Sequence, residues 1–327
     1  MRAAQATQDP TADQAEFAAR VERHRGELQV HCYRMLGSLE DAEDIVQETF
    51  LRAWRKRASA RGSATFRAWL YRIATNACLD ALQKRPRPAA RAGEAAAFEV
   101  TWLQPCPDRL LDAAAPSDAE PDAAVVERET IELAFLVAVQ HLPPRSRAVL
   151  LLRDVLGWSA KDTAALLEVS VAAANSALQR ARAMLKQHLP ERRLDWAAGA
   201  DASAQERALV ERYIEAGDRG DAHAVAGMLR EDARFAMPPQ PELYVGRDAI
   251  LACWLEGGFG NGEMGELRCR ATRANPQPAV ACWLRAPGDT EFRALALDVL
   301  RIEDGAVAEI ITFASSVFPV FDLPATL

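Results

Sequence analysis

No stretch of the 327 residues approaches the roughly 18 uninterrupted apolar positions that a membrane-spanning helix needs. The opening segment, Met1 to Phe17, also lacks the apolar run of a secretory signal, so the chain is expected in the cytoplasm with no membrane partner. Cysteine is sparse: Cys32, Cys78, Cys106, Cys253, Cys269 and Cys282 stand apart, with no C-x-x-C pair and no histidine at ligand spacing. That pattern supports no zinc or other metal site and implies no cofactor. The thiols read as small buried hydrophobes of a reducing compartment, without a disulfide framework and without a function.

What is present is charge, unevenly spread. The whole chain carries 46 acidic and 39 basic residues, a net charge of -7. Met1 to Arg85 and Ile131 to Arg193 are nonetheless basic, at +3 and +4, whereas Pro86 to Thr130 stands at -5 and the remainder from Leu194 at -9. Two basic modules, an acidic Pro/Ala-rich connector and an acidic tail suggest that the first two touch an anionic polymer and the last does not. At roughly 100–200 residues per domain, the length predicts two or three domains.

Ser38 followed by Glu40, Asp41 and Asp44 marks a helix start, with an N-cap and acids in the first turn. Ala42, Ile45, Val46, Phe50, Ala53 and Trp54 recur at helical spacing, which leaves Asp41, Asp44, Gln47, Glu48 and Leu51 on the other faces. That surface suits either a solvated helix or a protein-docking face. A second long helix is predicted from Thr65 to Lys84, with Phe66, Trp69, Leu70 and Ile73 inward. Its polar side carries Arg67, Arg72, Asn76, Asp80 and Lys84, with Tyr71 beside them. Arginine and lysine hold phosphates, asparagine pairs with adenine and aromatics stack on unpaired bases, a mixture that suits partly melted nucleic acid or an ordinary core and rim.

Pro86 and Pro88 end that helix. The connector beyond them includes Thr101 to Leu111, too apolar for a free spacer, and something is expected to bury Trp102 and Leu103. A helix is predicted from Val125 to about His141, another from the Pro143-Pro144 turn through Leu152, and then two more, Ser159 to Leu167 and Val171 to Leu189. The short capped helix, the tight connection at Glu168 to Ser170 and the polar, basic second helix form a helix-turn-helix pattern, whose second helix enters a major groove. The tail reads as α+β: helices at Gln205 to Ala216 and Ala222 to Leu229, a strand from Ala233 to Met237, and strands at Leu267 to Arg273, Ala279 to Leu284, Phe292 to Ile302 and Val307 to Phe313. Helices packed on one curved antiparallel sheet enclose a cone-shaped pocket.

On these residues the chain resembles an extracytoplasmic-function (ECF) sigma factor of the sigma-70 family. The most specific pieces are Leu36 to Phe50 (LGSLEDAEDIVQETF) and Leu178 to Leu185 (LQRARAML). The connector's Trp102-Leu103-Gln104-Pro105-Cys106-Pro107-Asp108 and the tail's Gly220-Asp221, Met237-Pro238-Pro239 and Gln277-Pro278-Ala279 are similar to members with a fused C-terminal SnoaL-like domain. The resemblance implies two all-α modules, a region 2 helical bundle at 13–86 and a region 4 helix-turn-helix at 125–193, joined by a linker at 87–124 and followed by an α+β SnoaL-like regulatory domain at 203–320.

It further implies core RNA polymerase, through its β′ clamp helices and β flap, and promoter DNA as partners. Asp41, Asp44, Gln47, Glu48 and Leu51 would face the clamp; Arg61, Phe66, Arg72, Asn76, Asp80 and Lys84 would take the melted minus-10 element. Val171, Ala172, Asn175, Ser176, Gln179 and Arg180 would meet the minus-35 duplex, with Arg182 and Lys186 on phosphates and Arg145 and Arg147 on backbone. Trp102, Leu103, Pro105 and Asp108 would contact the tail domain. Two departures stand out: Ala174 replaces a larger apolar residue, and Asn275-Pro276 replaces Asn-Gly, which puts that loop's contact in question because proline does not supply a positive φ.

The implied function is promoter-specific transcription initiation without covalent catalysis, modulated by the tail. One alternative is a ligand-sensing helix-turn-helix regulator that acts without polymerase, with Trp254, Phe259, Trp283 and Phe292 lining a pocket for an unknown small ligand. Another is an enzymatic tail, for which Asp298 is the best carboxylate and His223 the single histidine after Gly199.

Overall fold

Residues 10–57, 65–84, 100–112, 132–189 and 204–327 are described by the computed structural model. The helices, in chain order, are α1 (Pro10–Glu22), α2 (Arg25–Leu36), α3 (Leu39–Arg55), α4 (Phe66–Lys84), α5 (Asp108–Asp112), α6 (Leu133–Gln140), α7 (Pro144–Leu150), α8 (Ala160–Leu167), α9 (Val171–His188), α10 (Ala204–Asp218), α11 (Ala222–Gly227) and α12 (Arg247–Glu256). They fall into two units: one holds the described residues of 1–85, 110–119 and 142–185, the other those of 86–109, 120–141 and 186–327.

In the first unit, Gly37 at φ 71 ends α2 and returns its N–H to Tyr33 O at 2.8 Å. Ser38 then opens α3 by accepting the Asp41 N–H at 3.1 Å. Ala42, Val46 and Ala53 of α3 are buried together with Leu28, Met35 and Leu36 of α2 and Leu70, Ala74 and Cys78 of α4, and the three helices pack on one another. Pro144 sits in the first turn of α7, where its missing N–H costs nothing. The helix does not end at Leu152 as expected but passes into a π turn, Leu151–Val155. Ser159 caps α8 through the Asp162 N–H at 3.0 Å. Glu168 at φ 56 turns the chain into α9, which buries Ala174, Leu178 and Ala181. Ala174 fills its packing position at 2% exposure, so no larger residue is needed there.

In the second unit, strands β1 (Leu229–Ala236), β2 (Leu243–Val245), β3 (Glu266–Ala274), β4 (Gln277–Arg285), β5 (Arg293–Glu303) and β6 (Ala306–Ala314) make one sheet in the order β2-β1-β6-β5-β4-β3. Leu209, Val210, Tyr213 and Ala216 of α10 pack on its inner face with Phe235, Ile250, Val280, Leu300 and Ile310. Register shifts in the β4–β5, β5–β6 and β1–β6 pairings bend it.

Several expectations are corrected. The sheet is mixed, because β1 runs parallel to β6. The second tail helix stops at Gly227, and Leu229 already belongs to β1, where it pairs with Val307. Of the helix expected from Val125 to about His141, residues 125–131 lie outside the described residues; the described part is Leu133–Gln140, preceded by Glu132 at ψ 144. Strand β2 and helix α12 were not foreseen. The Asn275-Pro276 turn closes the β3–β4 hairpin with both residues at positive φ, 53 and 30.

Candidate functional site

Helix α3 turns Asp44, Gln47 and Leu51 to solvent, with Asp41 and Glu48 half-buried. Leu51, 54% exposed, is the most exposed of the large hydrophobic side chains among the described residues. Arg52 stands at the edge of this face: its Nε donates to Glu48 Oε1 at 2.7 Å and its Nη1 to Asp80 Oδ2 at 3.0 Å. The two carboxylates hold its guanidinium even more firmly protonated than usual. One arginine therefore ties the acidic face of α3 to the polar face of α4.

On α4, Arg72, Asn76 and Asp80 follow at four-residue steps, with Arg72, Asp80 and Lys84 exposed and Asn76 half-buried. Arg61 lies outside the described residues. Phe66 is engaged in packing: its ring stands 6.0 Å from Phe17 and 5.5 Å from Trp69, with the Arg20 guanidinium 3.9 Å above it. Tyr71 is not on the polar rim. It is buried, donates to Glu27 Oε2 at 3.2 Å and lies 5.7 Å from the Trp158 ring. An open groove of about 800 Å³ runs between Arg67, Arg72 and Asn76 on one side and Trp158, Asp162 and Glu168 on the other. Arg72 Nη2 meets Glu168 Oε1 across it at 2.6 Å.

Helix α9 exposes Val171, Ala172, Asn175, Ser176, Gln179, Arg180, Arg182 and Lys186. Arg182 is held by both oxygens of Asp154, at 2.8 and 2.7 Å, so a phosphate would have to compete with that carboxylate. Arg147 is corrected outright. It is 3% exposed and donates to the Met35 and Leu142 carbonyls, an internal brace unable to reach a DNA backbone. Arg145 is exposed at the start of α7.

In the second unit the linker lies on the β3–β4 hairpin. Leu103, Pro105 and Cys106 are buried and Trp102 is half-buried. Cys106 N–H donates to Asn275 Oδ1 at 2.8 Å, and Asn275 N–H donates back to Cys106 O at 2.9 Å. Pro107 bridges Ala274, and Asp108 pairs with Arg273 at 2.8 Å. The first residue of α6 meets the same turn: Leu133 N–H donates to Gln277 Oε1 at 3.0 Å. The contact that Pro276 put in question is therefore made, and Asn275, a residue type that tolerates positive φ, makes it.

The residues grouped as a tail pocket do not converge. Trp254 and Phe259 are in contact, centroids 5.9 Å apart, beside the inner core. Trp283 alternates to the opposite face from Cys282 and Val280, meets Phe318 edge to face at 5.2 Å and donates to Pro324 O. Phe292 lies under the Arg285 and Arg268 guanidinia. Asp298 accepts from Tyr213 OH at 3.0 Å and Thr312 Oγ1 at 2.6 Å. Burial raises its carboxyl above the ordinary range, against the lowering effect of those two donors. Both its oxygens are occupied by fixed hydroxyls, and His223 is exposed near the start of α11.

With that geometry described, three family models match the chain: Sigma-70 region 2 over residues 20–87, Sigma-70 region 4 over 132–185, and a SnoaL-like domain over 210–310. The chain is 40% identical to the ECF RNA polymerase sigma factor SigG of Mycobacterium tuberculosis, with 95% of this chain and 85% of that protein covered. It is 32% identical to the ECF RNA polymerase sigma factor SigW of Bacillus subtilis over 54% of this chain and 90% of that one. The crystal structure of the M. tuberculosis extracytoplasmic function sigma factor SigJ superposes with a TM-score of 0.61 at 24% identity, covering 94% of this chain and 99% of that one, which shows a shared fold.

Proposed function

The chain belongs to the ECF RNA polymerase sigma factors of the sigma-70 family, which direct promoter-specific transcription initiation, and from that premise we propose how its surfaces divide the task. Asp41, Asp44, Gln47, Glu48 and Leu51 dock on the β′ clamp helices of core polymerase. The observation that carries this reading is Leu51: an exposed aliphatic on a largely polar helix face gains apolar burial only when a partner covers it. Arg72, Asn76 and Lys84 take the melted minus-10 strand, while Asp80 positions Arg52. Val171, Ala172, Asn175, Ser176, Gln179 and Arg180 read the minus-35 duplex, with Lys186 on phosphate.

The C-terminal domain modulates these modules by holding the linker between them. Its support is the double grip of the β3–β4 turn, by Asn275 on Cys106 in the linker and by Gln277 on Leu133 at the start of α6. We read that domain as non-catalytic, since the best buried carboxylate is committed to two hydroxyls, and the protein as acting in the cytoplasm. The test is holoenzyme assembly measured by titrating labelled protein with core polymerase. Leu51→Asp is expected to weaken assembly at least tenfold without lowering thermal stability; unchanged affinity would contradict the docking assignment.

A further inference from the structure

Two thiols thirteen residues apart in sequence meet across the tail sheet. Cys269 of β3 and Cys282 of β4 are register partners, and their sulfurs stand 3.2 Å apart. The Cys269 N–H points away from β4, to Asp218 Oδ1 at 2.7 Å. The pair therefore occupies a non-hydrogen-bonded site of the antiparallel ladder, where Cα atoms approach to about 4.5 Å. A disulfide spans Cα separations of about 4.4–6.8 Å, so the strands need no rearrangement to be joined.

Access is unequal. Cys282 is 7% exposed, whereas Cys269 is half-buried, and Gly217 at the end of α10 presents no side chain to it; a Cβ there would stand 3.1 Å from the sulfur. The hydrogen bond with Cys269, together with burial, pushes the Cys282 thiol well above its ordinary range, and Cys269, the less buried of the two, is the sulfur an oxidant meets first. Cys32 and Cys78 are also hydrogen-bonded to each other, but both are at 0% exposure, closed to any oxidant.

We propose that Cys269 and Cys282 are a redox-modification site, which a peroxide converts to a reversible cross-strand disulfide tying β3 to β4 in the hairpin whose turn holds the linker. The Cys269 thiolate attacks one peroxide oxygen, the O–O bond breaks, and the leaving oxygen takes up a proton, leaving a sulfenic acid. The Cys282 sulfur then attacks that sulfur; the S–O bond breaks, and the hydroxide departs as water with the Cys282 proton. The two thiols lose two electrons in all, which the peroxide gains. A dithiol reverses the bond by exchange, as befits a reducing compartment where disulfides are transient and sensing. The covalent tie stiffens the hairpin between its mid-strand positions and its turn, and so the Asn275 grip on Cys106. The assignment of the site rests on the sulfur geometry and is independent of the DNA-binding reading.

The experiment treats the reduced full chain with hydrogen peroxide, blocks the remaining thiols, and maps the peptides by mass spectrometry alongside hydrogen exchange. The expected result is a Cys269–Cys282 linked peptide removed by dithiothreitol, several-fold slower exchange at the Cys106 amide, and in Cys282→Ser a Cys269 sulfenic acid trapped by dimedone. Cys269 and Cys282 both still open to alkylation after peroxide would overturn the site. A disulfide that forms with Cys106 exchange unchanged would overturn its coupling to the linker.

Discussion

Arg72 Nη2 lies 2.6 Å from Glu168 Oε1: a cation on the helix face proposed for the melted minus-10 strand is bound by the residue that joins the two helices proposed to read the minus-35 duplex. In this arrangement part of the proposed strand-binding face is occupied by the chain itself, and under that proposal the ion pair must part before Arg72 meets a phosphate. Both partners are well exposed, so the pair contributes only about 0–1 kcal/mol. Glu168→Gln is therefore expected to raise affinity for a single-stranded minus-10 oligonucleotide by a few-fold at most, and Arg72→Ala to lower it. Equal losses in both variants, read by fluorescence anisotropy, would contradict this.

His31 lies at 1% exposure with Nε2 on Thr75 Oγ1 at 2.9 Å, and burial, aided by Arg34 and Arg67, lowers its pKa to about 3. The unfolded chain takes up this proton near pH 6.5, and the folded chain does so only far below. Stability is therefore intact above about pH 6.5 and falls through the window down to about pH 3, by up to about 1.4 kcal/mol per pH unit. Thermal melts of His31→Gln against the parent are expected to converge or cross as pH falls from 7 to 4. Parallel curves would refute the neutral, buried imidazole.

Asp298 has the opposite sign. Its folded pKa is raised, so the folded state holds a proton that the unfolded state releases near pH 3.9, and stability falls as pH rises through the window between those values. Asp298→Asn keeps an acceptor for one of the two hydroxyls and offers an N–H to the other, and is expected to be at least as stable as the parent at pH 7, its advantage shrinking toward pH 4. Asp298→Ala strands both hydroxyls and is expected to cost about 1–3 kcal/mol. Denaturant midpoints across that pH range decide it.

Asn275→Ala removes the acceptor for a buried N–H and puts an ill-suited residue at φ 53. A loss of about 1–3 kcal/mol from the tail domain is expected, together with faster proteolysis of the linker around Cys106. A variant as resistant as the parent would mean that the linker is held by its apolar burial alone.

Much of this was legible along the chain, because caps and periodicity are local. Ser38 and Ser159 announce their helices, and the short apolar runs of β4 to β6, bounded by turn residues, announce strands. Pairing is not local, so the parallel β1–β6 contact had no signature. Helix α12 follows Gly246 without a side-chain cap and buries only Ile250, leaving little periodicity to detect. The site residues were recognisable by type and spacing, but their partners were not. Arg147 looks like any basic side chain until Met35, 112 residues away, supplies the carbonyl it braces. Trp283 and Asp298 are both mid-strand, and only the register puts them on opposite faces. Cys269 and Cys282 gain meaning only from facing each other across two strands.

The central claim is that this chain selects promoters for core polymerase while its C-terminal domain governs how well it does so. In vitro transcription with purified core polymerase on a genomic fragment library, with transcript starts sequenced for the full chain and for residues 1–193, tests it most directly. The account predicts the same specific starts from both forms at different yields. An absence of polymerase-dependent starts from either would contradict it.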